Sequence, residues 1–117
     1  IHWIPYRADI LQRAAARGKP VMMDFYADWC GPCRVMDREV FQDPEVVDLG
    51  KAFVTVRVDL TRKHTQQEDL LRRYNIQGVP TVLFFDRNGQ ELKNLRVASY
   101  TDKAQILERM RKAVQIK

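Results

Sequence analysis

DFYADWCGPCR, residues 24–34, decides how this chain is read. The apolar run Val21-Met22-Met23-Asp24-Phe25-Tyr26, opened by Pro20, reads as a buried strand. Two cysteines three apart follow at once, and a helix should begin around them and run towards Phe41. Cys30 then falls at the helix N-terminus, where unpaired N–H groups and the helix dipole favour a thiolate. Cys33 lies one turn on, within reach of Cys30, and Pro32 suits a first turn because its missing N–H costs nothing there. Two thiols so arranged support exchange: Cys30 attacks a partner's disulfide, and Cys33 then attacks Cys30 and releases the reduced partner. The intervening Gly31-Pro32 adds no positive charge to hold the thiolate, which favours a reducing over an oxidising protein.

The rest of the cysteine arithmetic agrees. A disulfide framework needs more than the 2 cysteines present. A zinc site built on the pair would need two further ligands, and only His2 and His64 exist, without a paired spacing. No metal and no cofactor beyond a redox-active Cys30–Cys33 disulfide is therefore expected. The pair by itself does not fix the compartment, since it works in either redox environment.

Working outward, Tyr6 to Arg17 places Ile10, Leu11, Ala14 and Ala15 on one face, a short helix ended by Gly18. Asp43-Pro44 breaks the cysteine helix, and Pro44 starts one more short turn. Phe53 to Asp59 alternates with Val54, Val56 and Val58 on one side, a second strand. Gln66 to Tyr74 reads as a helix with Leu70, Leu71 and Tyr74 inward. Thr81 to Phe85 is a third apolar strand, Asp86-Arg87-Asn88-Gly89 a hairpin turn, and Leu92 to Val97 its return strand. Asp102 caps a last helix with Ile106, Leu107, Met110, Ala113 and Val114 buried. Strands separated by helices should pair in parallel and the final hairpin antiparallel. The expected fold is α/β, a central mixed sheet flanked by helices on both faces, with His2 to Pro5 as an added edge strand.

The chain has 117 residues, enough for one domain spanning 1–117 with a real core. It is 45% hydrophobic and 30% charged, the balance of an ordinary globular protein. No stretch approaches the roughly 18 apolar residues of a membrane span, so this domain is not expected to cross a bilayer. Ile1 to Tyr6 lacks the basic leader and apolar run of a signal peptide. A start at Ile rather than Met reads as a processed protein, or as a domain cut from a longer one whose remainder holds a membrane anchor. The net charge of +5 is scattered among acidic residues, and Arg62-Lys63-His64 is the one tight basic cluster. That describes a solvated surface rather than a nucleic-acid stripe. A monomer that binds no nucleic acid is expected.

DFYADWCGPCR resembles the active-site signature of the thioredoxin superfamily, and NIQGVPTVLFFDRNGQE, residues 75–91, resembles that family's second landmark, a strand reached through a cis-proline. GKPVMMDFYADWC (18–30) and VFQDPEV (40–46) are most similar to the C-terminal periplasmic domain of the DsbD family of transmembrane thiol:disulfide interchange proteins. The resemblance spans nearly the whole chain. It implies a thioredoxin-like fold, Cys30 as nucleophile and Cys33 as resolving thiol, and Pro80 as the cis-proline facing them. A cis Val79-Pro80 bond would offer the Val79 backbone to an extended partner segment as an added strand; the plain alternative is a trans proline opening a strand. Asp24 matches the family's buried acid. Burial in an apolar strand should raise its pKa and let it take the proton from Cys33, unless it reaches solvent at the strand end. Asp37, four residues after Cys33 on the same helix face, matches an acidic position near the DsbD-type active site. With Asp24 it would oppose the helix dipole and raise the thiol pKa values; otherwise it is a solvated helix charge. Trp29 matches the tryptophan before the first cysteine and would shield the disulfide and contact partners, or simply pack; Tyr26 flanks the site with it.

Three features depart from these patterns. Gly-Pro between the cysteines is thioredoxin-like, whereas the flanks are DsbD-like. The glycine of the loop near the site is replaced within Val97-Ala98-Ser99-Tyr100, and the lysine that thioredoxins place near the buried acid is absent where the chain reads Val54-Thr55-Val56-Arg57. The resemblance implies a disulfide reductase relaying electrons to partner protein thiols and disulfides. Its partners would be a DsbD-type transmembrane domain and periplasmic thiol proteins, in the periplasm and tethered to the inner membrane. Two rival readings are a free-standing thioredoxin, cytoplasmic or periplasmic, and a binding module that keeps the fold without redox turnover.

Overall fold

The computed structural model describes residues 1–62 and 65–116. Its strands are β1 (Ile4–Pro5), β2 (Val21–Tyr26), β3 (Val54–Asp59) and β4 (Thr81–Phe85); its helices are α1 (Ile10–Ala16), α2 (Gly31–Glu39), α3 (Pro44–Gly50), α4 (Thr65–Arg73) and α5 (Lys103–Gln115). The strands form one four-stranded sheet in the order β1-β3-β2-β4. Lys63 and His64, in the basic cluster noted above, lie outside the described residues, and so does the second of the two histidines weighed as zinc ligands.

The two-residue period of the strands separates two cores. Val21, Met23 and Phe25 face one side with Val54, Val56 and Val58, and are covered by Ile10 and Ala14 of α1 and Leu70 of α4. Met22 faces the other side, under Met36 of α2, Val46 of α3, and Ile106, Leu107, Met110 and Ala113 of α5. Asp24 shares this second face by alternation, which turns its carboxylate towards the helix that carries the cysteines. Helices on both faces of a mixed sheet are as expected. The caps are local and satisfied: Asp43 accepts from Glu45 N at 2.9 Å and Asp102 from Gln105 N at 2.9 Å.

Two expectations about the sheet are corrected. β1–β3 and β3–β2 are parallel, but β4 pairs antiparallel with β2 although a helix separates it from β3. Thr81 aligns with Phe25, and Asp59 with Tyr26, so the chain leaves β3 and starts β4 at the same end of the sheet. The segment 74–80 after α4 makes the connection, opening with a turn at Tyr74-Asn75 in which Asn75 takes a positive φ of 52°. The second correction concerns Leu92 to Val97, which is not a return strand. Only single bridges join Phe85 to Glu91 and Val82 to Val97. Three steps along β4 thus face six along the returning segment, and the surplus is wound into a 3-10 turn over Lys93–Leu95 that drives Leu95 into the core. The turn before it forms as expected: Asp86 Oδ1 accepts from Asn88 N and Gln90 N, and Gly89 takes the positive φ of 83°. Smaller differences are α3, a seven-residue helix rather than a turn, and α1, which begins at Ile10 rather than Tyr6.

Candidate active site

β2 delivers the site. It is buried along its length up to Tyr26, and the chain then turns through Ala27, whose carbonyl accepts from Cys30 N at 3.1 Å. Cys30 is the N-cap of α2, with Pro32 inside the first turn, as the sequence implied. Cys30 and Cys33 are joined by a disulfide with Cα atoms 5.3 Å apart, and Cys33 N donates to Cys30 Sγ at 3.2 Å. Both are buried, packed with Ala27 against Tyr26, Leu60 and Val79. The Val79–Pro80 peptide is cis, and Val79 packs against the two cysteines.

Trp29 is the most exposed large apolar side chain, at 67%. It is nevertheless oriented: its Nε1 donates to Thr61 O at 3.3 Å. The loop that receives it is braced, because Asp28 N donates to Thr61 Oγ1 at 2.9 Å and Thr61 Oγ1 donates to Asp59 Oδ1 at 2.5 Å. Tyr26 Oη donates to Asp28 Oδ1 at 2.5 Å, a bond that pushes the phenol pKa up to about 12, with burial adding to it.

The electrostatic centre is a residue that the sequence reading marked only as a missing lysine. Arg57 of β3 stands in register with Asp24. Its Nη2 lies 2.7 Å and its Nε 3.0 Å from Asp24 Oδ2. The same Nη2 donates to Asp37 Oδ1 at 2.6 Å, and Nη1 to Asp37 Oδ2 at 3.2 Å. The guanidinium lies over two rings, 4.2 Å from the centre of Tyr26 and 4.9 Å from that of Trp3. Side-chain exposures are 4% for Asp24, 18% for Arg57 and 27% for Asp37. Asp24 is therefore buried, and Asp37 is not a free helix charge. Burial pushes the Asp24 carboxyl up, the charge and hydrogen bond of Arg57 pull it back, and the result is about 6. Burial works against the charge on Arg57, but the bonds and charges of Asp37 and Asp24 outweigh it and raise its pKa.

The missed residue had a sequence signal. β3 alternates, so Arg57 had to face away from Val56 and Val58, the face that Asp24 shares on the next strand. A carboxylate inside an apolar strand calls for a cation nearby. The Thr61 brace carried no such signal, since its bonds are set by loop geometry.

A stability profile follows from Asp24. Its carboxyl titrates at about 6 in the folded chain against an ordinary value of 3.8, so between those values the folded state holds a proton that the unfolded state has lost. Stability then falls as pH rises from about 4 to 6, by up to about 3 kcal/mol, and stays lower above. Asp24→Asn lacks this loss. Its Tm relative to the parent should improve by about 10 °C between pH 4 and pH 7, measured by thermal unfolding. Parallel Tm curves for the two proteins would contradict the assignment.

Residues 8–114 match the family model described as a thioredoxin-like domain. The chain belongs to the thioredoxin-like family. Among its relatives, the thiol:disulfide interchange protein DsbD 1 of Pseudomonas aeruginosa is 44% identical over 103 residues, 88% of this chain and 17% of that protein. DsbD of Yersinia pestis is 38% identical over 97 residues, 83% of this chain and 16% of that protein. This thioredoxin-like chain thus spans about a sixth of the length of those relatives. Among solved structures, a thioredoxin from Thermus thermophilus superposes with TM-score 0.77 at 27% identity, covering 96% of this chain and 87% of that one. The oxidised C-terminal domain of Neisseria meningitidis DsbD superposes with TM-score 0.78 at 22% identity, over 96% and 99%, a likeness of fold. No helix of the described residues is long and apolar enough to cross a membrane.

Proposed function

We propose that this chain is a thiol:disulfide oxidoreductase working in the reducing direction. The observation that carries the reading is the Cys30–Cys33 bridge across the first turn of α2, at the end of a buried strand. In the cycle, the Cys30 thiolate attacks one sulfur of a partner disulfide. The partner's S–S bond breaks, a mixed disulfide forms, and the first partner thiolate leaves and takes a proton. Cys33 then loses its proton to the Asp24 carboxylate and attacks Cys30. The internal bridge forms, and the second partner thiolate departs and takes up the proton held by Asp24, so that two electrons and two protons have passed to the partner. Trp29, Val79 and Pro80 form the docking rim, with the Val79 backbone taking an extended partner segment as an added strand. No metal enters this cycle.

Similarity to DsbD supports a place within a longer protein of that type: a periplasmic module, a domain in its own right, fed by a membrane domain outside these residues and acting on periplasmic thiol proteins. The Gly31-Pro32 centre and the likeness to a bacterial thioredoxin favour a second reading, a free-standing thioredoxin. Insulin reduction in the presence of dithiothreitol tests the common core of both. Precipitation of the insulin B chain well ahead of the reductant alone is expected, and its absence would leave only a binding module. The native sequence upstream of Ile1 separates the two oxidoreductase readings, since several membrane spans there would support the DsbD type.

A further inference from the structure

Asp37 projects from α2, one turn beyond Cys33, yet both of its oxygens are engaged by Arg57. That guanidinium has a second carboxylate to satisfy, and Nη2 is within 2.6–2.7 Å of both acids at once. One cation is shared by two anions, one buried and one at the surface. The same guanidinium also lies over the rings of Tyr26 and Trp3. We propose that Asp37 is a positioning residue that reaches the cysteine chemistry through Arg57: by drawing on the same guanidinium, it sets from the surface of α2 how firmly Arg57 holds the buried Asp24 carboxylate.

The proposal rests on the oxidoreductase reading for its purpose, since Asp24 must be able to accept and release a proton at working pH. A carboxylate wholly owned by a buried arginine would be a poor base, and one with no cation would stay protonated. Sharing keeps Asp24 between these limits. The charged and titratable groups bearing on Asp24 are few. Arg57 faces it from β3 and Asp37 from α2, and β4 offers Val82 opposite it. Tyr26 of its own strand and the Ile1 amino group lie in the field of Arg57 and Asp37.

The sign distinguishes this role from direct action on the thiols. Asp37→Asn removes a charge that raises the Asp24 pKa and releases Arg57 to it, so the Asp24 midpoint should fall, by about 1 pH unit. Asp37→Glu, which keeps the charge, should restore it. The readout is the carboxyl carbon-13 shift of Asp24, followed by NMR titration of the oxidised chain, where neither thiol titrates. The Arg57→Lys variant gives a second arm, with an upward shift expected from the loss of the two-acid fork. A contact that is merely structural would change Tm in Asp37→Asn and leave the midpoint where it was. An unmoved or rising midpoint in Asp37→Asn overturns the proposal. Insulin reduction by the parent protein tests the underlying reading separately, since the titration does not depend on turnover.

Discussion

Cys30→Ser brings insulin reduction down roughly a thousandfold or more, to the rate of the free reductant, because a serine hydroxyl near neutral pH supplies almost no anion to attack sulfur. Cys33→Ala behaves differently. Its Cys30 still sits at the N-terminus of α2 and still attacks, but nothing one turn on can reopen the mixed disulfide. Turnover stops while a covalent adduct accumulates, visible as a shifted band on a non-reducing gel and released by dithiothreitol. The two variants therefore share a null rate and differ in what they hold. If Cys30→Ser reduced insulin normally, or if Cys33→Ala gave no adduct while Cys30→Ser did, the assignment of nucleophile and resolver would be wrong.

Arg57→Met has the largest expected effect on stability. It leaves Asp24 buried with no counter-ion and removes the cation that lies over the rings of Trp3 and Tyr26. Removing one partner of a buried pair costs about 3–5 kcal/mol, which in a chain of this size lowers Tm by about 10–20 °C. The loss should be greater at pH 8 than at pH 5, since protonation of Asp24 relieves the uncompensated charge as pH falls. Asp24→Asn in the same chain should recover most of it, because the penalty lies in the orphaned carboxylate rather than in the missing attraction. Circular dichroism melts of the two single variants and the double variant give the cycle. A Tm within a few degrees of the parent for Arg57→Met would mean that water already screens this cluster.

The elements most legible in sequence were those whose chemistry is local. Cys30-Gly31-Pro32-Cys33 marked the start of α2 because proline fits a first turn, and Asp102 marked α5 because its carboxylate caps the helix from three residues away. The direction of β4 was not legible. It depends on the path that segment 74–80 takes, and no period in the sequence encodes a path. The 3-10 turn at Lys93–Leu95 escaped for a related reason: an antiparallel register that slips by three residues is visible only once both strands are placed. At the site, Asp24 and the cysteines were found from their own surroundings. Arg57 needed two strands side by side, since its meaning comes from a residue 33 positions earlier.

β2 ends and β4 begins at one rim of the sheet, where the loop that carries Thr61 also meets Tyr26 and Asp28. In the proposed docking mode, the groups that meet a partner belong to the short connections gathered there, while both apolar interiors lie beneath and are closed off by the helices. Recognition can consequently drift, loop by loop, without a single packed side chain having to change, and the reactive bond keeps its footing while the clientele is rewritten.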